Sequence, residues 1–521
     1  MTDRRSLVPA YTFPTTLEEQ EAALATNPLM RRLIEYRKSY AGDRYRPAYH
    51  YVNPESVLND PNGLCRWQGR WHLFYQANPP DDSRWHWGHA VSDDLVRWRD
   101  LPYAIYPGPE HDCYSGTTLV EDDRVIAMYH GTQAGNMVAV SSDPLLLNWE
   151  KVANKAVIPI AAPDGPALPY NVFDPCIWRK DGVYYSLSAG KKPEGPVRMP
   201  VRANYLFRSR DLEHWEYMHP FIEGDLFTLV GDDGACPYFW PIGDRHILLF
   251  FSHMSGGQYL LGDYDTERDK FVVTHGAKFN FGAATPCGVH APSATPDGEG
   301  GLIAIFNMNA GKPTRDWNQL MTLPRRLTVD GDDLSIEPVE ALKSLRRDER
   351  RLGPLELPAN RDVVLEGVSG DTLELEAEID LQDAPTVELS VLRSPRREEL
   401  TRISFYKERG FPAARQIEGG VFGPGIRETL VSIDTSYSST AADVLSRPPE
   451  TAPFSLAEGE PLRLRVFVDR SVVEVFVNGR QALGVRVYPE REDSLGVSLR
   501  SQGAPSTVRS LTAWTMASIW D

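Results

Sequence analysis

The feature that most constrains the fold is a repeat of short apolar strands separated by turn-forming residues. After Tyr49, aromatic and β-branched runs alternate with Gly, Pro and Asp, and helical periodicity disappears. Apolar strands recur about every 55 to 63 residues, at 69–76, 124–131, 182–190, 245–253 and 301–309. This spacing lies a little above that of the commonest propeller repeats. Five such units predict an all-β fold, a five-bladed β-propeller with four strands in each blade.

A second element follows three of these strands and supports the same interpretation. Each copy places a Ser and an Asp before a Trp, at 92–98, 141–149 and 209–215. We expect these elements to form the outer hairpins of three blades. The alternative is a generic all-β domain in which the spacing is coincidental.

The sequence on either side of the repeat has a different residue pattern. Before it, residues 16–41 show helical periodicity, with Thr16 as a capping residue and a predicted break at Asn27-Pro28. After about residue 340, charged and irregular sequence gives way to the clean alternation of a β-sandwich. We therefore predict an N-terminal helical arm (1–47), a propeller (48–340), a linker (341–361) and a β-sandwich (362–521).

Composition disfavours several classes of partner. The 521 residues carry a formal net charge of -17, so nucleic acid and anionic membranes would be repelled on average. No stretch approaches the roughly 18 apolar residues of a membrane span. The five cysteines stand singly, and the histidines lack ligand spacing, so we expect no metal and no other cofactor. A neutral substrate such as a sugar suits this balance better.

The N-terminus carries two arginines but lacks the apolar run of a secretory signal. We therefore expect a cytoplasmic protein, or a secreted one if a signal has been removed. The sequence leaves open whether the chain forms a homo-oligomer.

The first candidate for chemistry is Asp60, which lies in the turn sequence Asn-Asp-Pro-Asn-Gly at 59–63. The plain interpretation is a tight turn with a capping Asp. However, Gln76 follows the next apolar strand, and Trp85 and further aromatic residues follow in turn. This concentration of sugar-type contacts favours glycoside chemistry, which needs one carboxylate and one proton donor on either side of the anomeric carbon.

These segments also carry a resemblance to a known family. The stretches at 59–63, 74–79, 86–98 and 101–107 resemble, in order and spacing, the opening of glycoside hydrolase family 32. This family contains invertases, fructan hydrolases and fructosyltransferases, and the resemblance covers about residues 48–520. It implies a five-bladed propeller with a C-terminal sandwich. It also implies a retaining hydrolase that releases terminal β-D-fructofuranosyl residues from sucrose or fructans.

Carried over by position, the resemblance also implies residue roles. Asp60 falls on the nucleophile that forms a covalent fructosyl-enzyme, and Asp174 falls on the residue that binds ring hydroxyls and supports the transition state. The remaining implied substrate contacts are Asn59, Gln76, Trp85 and Ser115. The family implies no cofactor, and the expected partner is a small-molecule or oligosaccharide fructoside.

Two positions depart from the family pattern. Phe173 stands where the family has an Arg, so a fixed cation and its donors are lost. Ala235 stands where the family has the Glu that donates a proton. We expect Asp233, two residues upstream on the same face of a strand, to replace it. Asp232 is the acid beside it and a predicted substrate contact, and the proximity of two acids would raise the pKa of the donor.

The alanine at position 235 also admits interpretations without a replacement acid. One is a substitution introduced deliberately to trap a bound sugar, and another is a catalytically silent relative that binds fructans. The two aspartates also fit a plain turn between Gly231 and Gly234. A fructosyltransferase that builds oligosaccharides or closes difructose anhydrides is a further alternative, because acceptor contacts decide between hydrolysis and transfer.

Overall fold

The computed structural model describes residues 6–161, 167–192, 201–410, 415–416, 422–423 and 428–520. Its strands form five consecutive blades and then two larger facing sheets. Two helices precede them at the N-terminus. The predicted fold class, a five-bladed β-propeller followed by a β-sandwich with a short helical arm, is confirmed.

The first three blades are antiparallel meanders that begin at the central axis. Blade I contains β1 (Val57–Trp67), β2 (Arg70–Asn78), β3 (His86–Ser92) and β4 (Arg99–Ile105). Blade II contains β5 (Cys113–Val120), β6 (Val125–Gly131), β7 (Gly135–Ser141), β8 (Glu150–Lys151) and β9 (Ile158–Pro159). Blade III contains β10 (Pro175–Lys180), β11 (Val183–Lys192), β12 (Val201–Ser209) and β13 (Glu216–Pro220).

The last two blades have the same order, and each, like blade II, has one short extra strand. Blade IV contains β14 (Ile222–Glu223), β15 (Ala235–Ile242), β16 (Arg245–Ser252), β17 (Gly256–Asp265) and β18 (Lys270–Lys278). Blade V contains β19 (Val289–Pro296), β20 (Leu302–Met308), β21 (Leu320–Met321), β22 (Arg325–Asp330) and β23 (Asp333–Pro338).

The inner strands β1, β5, β10, β15 and β19 contact one another in a closed ring. The buried hydroxyl of Tyr238 ties four of the five blades together at the axis. It accepts a hydrogen bond from Gly63 N (2.9 Å), donates to Gly116 O (3.0 Å) and lies 2.8 Å from Ser293 Oγ. The ring therefore closes around a satisfied polar centre.

The Ser-Asp-Trp elements lie between the third and fourth strands of blades I to III, as predicted. In the first copy, Asp94 Oδ1 accepts hydrogen bonds from the main-chain nitrogens of Val96 and Arg97. Asp211 makes the equivalent pair of bonds in blade III. The aspartate thus closes each turn, which explains why the element recurs with the blade.

The helical arm contains α1 (Leu17–Thr26) and α2 (Pro28–Ser39), which separate at the predicted break. Thr16 caps α1, and Asn27 Oδ1 accepts the main-chain N–H of Leu29 at 2.9 Å to cap α2. The buried side chains of both helices join the apolar core of the propeller. The arm is therefore packed onto the main body.

The sandwich packs two antiparallel sheets over one apolar core. One sheet contains β24 (Arg346–Leu352), β25 (Leu355–Leu357), β27 (Thr372–Asp380), β34 (Leu462–Asp469), β35 (Val472–Val477), β36 (Gln481–Arg486) and β38 (Ser506–Met516). The other contains β26 (Asp362–Ser369), β28 (Thr386–Arg393), β29 (Thr401–Tyr406), β32 (Thr429–Asp434), β33 (Glu450–Phe454) and β37 (Gly496–Gln502). A small hairpin is formed by β30 (Arg415–Gln416) and β31 (Phe422–Gly423).

The predicted linker at 341–361 is not an irregular connector. A 3₁₀ helix (Glu340–Leu345) leads directly into β24 and β25, which both pair with β38. Five successive residues of β24, 347–351, are exposed and charged. Natural sheets carry such charges on edge strands because they discourage pairing with another chain. The composition that resembled a connector belongs to a sheet edge.

Buried charges join the propeller to the sandwich. Asp469, at the tight turn between β34 and β35, accepts the main-chain N–H groups of Ala48, Tyr49 and His50. The His50 ring lies 2.8 Å from Asp469 and 3.2 Å from Glu474. Glu474 in turn lies 2.8 Å from Arg325 of blade V, and all four side chains are fully buried.

We predict that Glu474→Gln lowers the free energy of unfolding by about 3–5 kcal/mol, because Arg325 would become an unpaired buried charge. Thermal denaturation followed by circular dichroism measures the change. The control is Glu216→Gln, which breaks the exposed Arg208–Glu216 pair of 2.8 Å and should cost less than about 1 kcal/mol. Equal melting temperatures for the two variants would contradict the structural role of Glu474.

Candidate active site

Three of the predicted site residues lie where inner strands begin. Asp60 is the fourth residue of β1 and Ser115 the third of β5, while Asp174 directly precedes β10. Cys236 is the second residue of β15 and lies within contact distance of Asp60, although 176 positions separate them. Closure of the propeller thus brings side chains from four blades to one end of the axis.

The inner strands are irregular at these residues. The pairing register of β1 breaks between Leu58 and Pro61, and that of β5 breaks between Cys113 and Gly116. In β15 the break lies between Ala235 and Tyr238, and Cys236 has a φ of 51°. Bulges of this kind redirect a side chain and are common beside active sites. Each break brackets a residue of the site.

One carboxylate oxygen of Asp60 is held by three donors. Asp60 Oδ2 accepts hydrogen bonds from Ser115 Oγ (2.7 Å), Gln76 Nε2 (3.2 Å) and Cys236 Sγ (3.4 Å). Gln76 Nε2 also donates to Ser115 Oγ at 2.7 Å. Within the described ranges these bonds all fall on Oδ2. The arrangement fixes the orientation of the carboxylate and leaves Oδ1 without a partner there.

Asp174 is the second carboxylate of the site. Its Oδ2 accepts the main-chain N–H of Cys236 at 3.0 Å and lies 3.6 Å from the Sγ of the same residue. Because Cys236 Sγ contacts both carboxylates, the Oδ2 atoms of Asp60 and Asp174 lie within about 7 Å of each other. The sequence did not single out Cys236, whose only signal was its place next to Ala235.

Burial raises the pKa of Asp60 to about 6. The hydrogen bond from Ser115 lowers it and the charge of Asp174 raises it. Burial also raises the pKa of Asp174 to about 6, although the hydrogen bond from the main-chain N–H of Cys236 lowers it. The exposed fractions of the two residues are only 8% for Asp60 and 7% for Asp174, so both lie in a largely buried site. Perturbed acids in such a position are typical of catalytic sites.

Asn59 belongs to an amide network beside Asp60. Its Nδ2 donates to Gln76 Oε1 at 3.0 Å, and its Oδ1 accepts from Gln319 Nε2 (3.0 Å) and Asn307 Nδ2 (3.4 Å). Asn307 and Gln319 were not predicted from the sequence. Asn307 is a polar residue near the end of an otherwise apolar strand, and that was the only signal available.

Trp85 is partly exposed and lies just before β3. Its main chain is bonded to the start of blade II, through Asp112 Oδ1 (3.0 Å) and the N–H of Cys113 (2.9 Å). In the described part of the chain, no hydrogen bond links Trp85 to Asp60. Its contact with a sugar stays a prediction.

The expectation that Asp233 has a raised pKa is wrong. Asp233 Oδ2 lies 2.6 Å from His253 Nδ1, its Oδ1 accepts the main-chain N–H of His253, and Lys191 Nζ is 3.6 Å away. Burial opposes ionisation, but the contacts with His253 and Lys191 lower the pKa of Asp233. Asp233 is therefore a carboxylate near neutral pH and has no proton of its own to donate.

Asp232 stabilises the loop that precedes β15. It is 1% exposed and accepts hydrogen bonds from Leu229 N and Ser255 Oγ, both at 2.7 Å. Burial opposes ionisation, but these bonds lower the pKa of Asp232. Asp232 therefore fixes the loop, and its contact with substrate stays a prediction.

The two departures from the family pattern lie in one apolar cluster. Ala235 is 1% exposed and packs with Cys236, Phe251 and Ala291, and Phe173 packs against this group. A cation and a carboxylate of the family pattern are therefore replaced together. The space holds apolar side chains without an unpaired charge.

Both domains of the chain match a family of known proteins. The family described as "Glycosyl hydrolases family 32 N-terminal domain" matches residues 50–338, and "Glycosyl hydrolases family 32 C terminal" matches residues 341–515. The chain belongs to glycosyl hydrolase family 32.

Relatives of this family 32 member include a levanase of Bacillus subtilis, which is 26% identical over 92% of this chain and 72% of its own length. A sucrose-6-phosphate hydrolase of Escherichia coli is 26% identical over 89% of this chain and 95% of its own length. Fructan 1-exohydrolase IIa of Cichorium intybus has the same fold, with a TM-score of 0.77 and 22% identity. That alignment covers 91% of this chain and 98% of the other.

Among the described residues, no group of three or more His, Cys, Asp or Glu side chains could hold a metal ion. Within the same ranges, neither helix has the length and apolarity needed to span a bilayer.

We predict that the Asp60–Asp174 pair titrates near pH 6, as measured by NMR of labelled aspartate carboxyl carbons. Ser115→Ala should raise the apparent pKa of Asp60, because it removes a donor that favours the charged form. Asp174→Asn should lower it, because it removes a like charge. Shifts in the same direction for the two variants would contradict this account of the pair.

Proposed function

We propose that this family 32 member is a retaining glycosidase that releases terminal β-D-fructofuranosyl residues from sucrose or fructans, with Asp60 as nucleophile. The observation that carries the proposal is the three-donor fixation of Asp60 Oδ2 beside a second carboxylate, Asp174. The names of the relatives, a levanase and sucrose-6-phosphate hydrolases, support the substrate class.

Asp60 supplies the first step. Its Oδ1 attacks the anomeric carbon of the fructosyl ring, the glycosidic bond breaks, and a covalent fructosyl-enzyme forms. The donors on Oδ2, Ser115 and Gln76, prevent rotation of the carboxylate and hold it in the attacking geometry. Attack requires the ionised form, so activity should decline as the pH falls through about 6, the raised pKa of Asp60.

Asp174 serves the same reaction without forming a bond. Its orientation is fixed by the N–H of Cys236, and its charge faces the region where the fructosyl ring becomes positively charged in the transition state. A carboxylate there also accepts hydrogen bonds from ring hydroxyls. Asn59 and Gln76 contribute amide groups to the same end of the propeller.

Water or a sugar hydroxyl can release the fructosyl group from Asp60. Water gives hydrolysis, and an acceptor sugar gives transfer, which is the second candidate function. Ala235 motivates a third candidate, a silent fructan-binding protein. The alternatives differ in products, so one set of assays separates them.

We expect Asp60→Asn to lower kcat by about 10⁴-fold or more on any fructoside that the wild type cleaves, because the nucleophile is lost. Fructose release from sucrose, sucrose-6-phosphate, inulin and levan is the assay, and NMR of the first product should show retention of the anomeric configuration. The control is Asp263→Asn, which removes an exposed carboxylate paired with Arg245 and should keep full activity.

Three results would count against parts of this proposal. Binding of fructans without turnover on any substrate would favour the silent relative. Oligosaccharide products in place of fructose would favour the transferase. Inversion at the anomeric carbon would exclude the covalent intermediate on Asp60.

A further inference from the structure

The proposed reaction lacks an evident proton donor. Ala235 has no acidic group, and Asp233 is held ionised. The buried Asp232 is engaged by its own loop. The side chains on Asp233 that can carry a proton are His253 and Lys191.

His253 directly follows β16, the strand that pairs with the strand of Ala235. In the antiparallel pairing of β15 with β16, Ala235 is the partner of Phe251. Asp233 precedes Ala235 by two residues and His253 follows Phe251 by two, just outside the two strands, and they meet through both main-chain and side-chain bonds. The Phe251 ring packs with Ala235 on one side and contacts the His253 ring on the other. His253 is therefore next to the position from which the family's acid would project.

The Asp233–His253 contact fixes the ring in one orientation. Asp233 Oδ2 lies 2.6 Å from Nδ1, and Oδ1 accepts the main-chain N–H of His253 at 3.2 Å. Phe251 packs against the ring with a centroid distance of 4.7 Å. Since 70% of the side chain is exposed, and Nε2 has no hydrogen-bond partner within the described ranges, Nε2 is available to a substrate.

We propose that His253, oriented by Asp233, is the proton donor that replaces the missing glutamic acid at position 235. The inference rests on the proposed function, because it assigns the acid of that same reaction. Asp233 is then a positioning residue, which holds the imidazole in one tautomer and stabilises its charged form, as carboxylates do in catalytic Asp–His pairs. This retains Asp233 in the mechanism, with the proton moved to its partner.

The surrounding charges favour the protonated ring. The bond to Asp233 raises the pKa of His253, burial opposes this rise, and the charges of Asp60 and Asp174 add to it. The other titratable neighbours are Lys191, which lies 3.6 Å from Asp233, and His290, whose ring centroid is 6.5 Å from that of His253. Burial lowers the pKa of His290 to about 3, so it stays neutral and does not repel the imidazolium.

The two chemical steps balance with His253 in this role. In the first, Asp60 bonds to the anomeric carbon, the glycosidic bond breaks, and the Nε2 proton passes to the departing oxygen. In the second, neutral Nε2 takes a proton from water while the water oxygen bonds to the anomeric carbon and the ester to Asp60 breaks. One water is consumed, and the imidazolium is regenerated.

The test compares a substrate that needs an acid with one that does not. We expect His253→Gln to lower kcat/KM for sucrose by about 10²–10⁴-fold. For 4-nitrophenyl β-D-fructofuranoside, whose leaving group departs without a proton, the loss should be less than about tenfold. Azide should accelerate turnover of the variant on the aryl substrate and give a fructosyl azide with retained configuration.

The pH profile supplies a second measure. Wild-type kcat/KM for sucrose should fall as the pH rises through the pKa of His253. This alkaline limb should move to lower pH in Asp233→Asn, because the carboxylate that raises the pKa is removed. The limb should be absent in His253→Gln.

Matched variants separate chemistry from structure. His214→Gln breaks an exposed pair with Asp211 of 2.9 Å on an outer hairpin, and it should leave both substrates unaffected. Lys191→Met removes the other cation near Asp233 and should also leave activity on both substrates unchanged. Melting temperatures of all variants report folding independently of activity.

Four outcomes would overturn the inference. Equal losses on both substrates in His253→Gln would indicate a structural role. If Lys191→Met loses activity on sucrose but not on the aryl substrate, the proton donor is Lys191. If the wild type is active and His253→Gln cleaves sucrose equally well, His253 is not the proton donor, while the proposed role of Asp60 is unaffected. A wild type that cleaves no fructoside, including the aryl substrate, would overturn the proposed function and this inference with it.

Discussion

Closure of five inner strands around a satisfied polar centre is the constraint on which the rest of the molecule depends. The Tyr238 hydroxyl reaches blades I, II and V from blade IV, and it is buried where an unpaired polar group would be costly. This centre fixes the blades relative to one another. Because the site residues start from the same inner strands, the positions of Asp60, Ser115 and Cys236 follow from that closure.

Burial of the two carboxylates affects the site as much as the neighbouring charges do. Asp60 and Asp174 are both buried, and both have a pKa of about 6 because water is largely excluded from them. The thiol of Cys236 lies between them and shares its weak donor with both. The charged form of Asp60 is thus favoured by a few directed bonds, which act against the cost of burial.

The two positions that depart from the family pattern lie together in the fold. Phe173 and Ala235 remove one cation and one carboxylate from adjacent places, and an apolar cluster fills the space. Asp60 and Asp174 contact Cys236 of this cluster, and the charged group of Asp233, His253 and Lys191 lies nearby. We therefore place the proton transfer on the neighbouring Asp233–His253 pair, because function has to be argued from the residues present instead of the family motif.

Elements whose causes are local could be predicted from the sequence. Strand alternation, the Ser-Asp-Trp turns and the Asn27-Pro28 break depend on near neighbours, and all of them appear where the pattern places them. The edge strand β24 was missed, because its exposed charges resemble those of a connector. The pKa shifts of Asp60 and Asp233 and the contacts of Cys236 and His253 became visible only in the folded chain. Those properties depend on distances between different blades and on exclusion of water, and neither can be obtained from the order of residues along the chain.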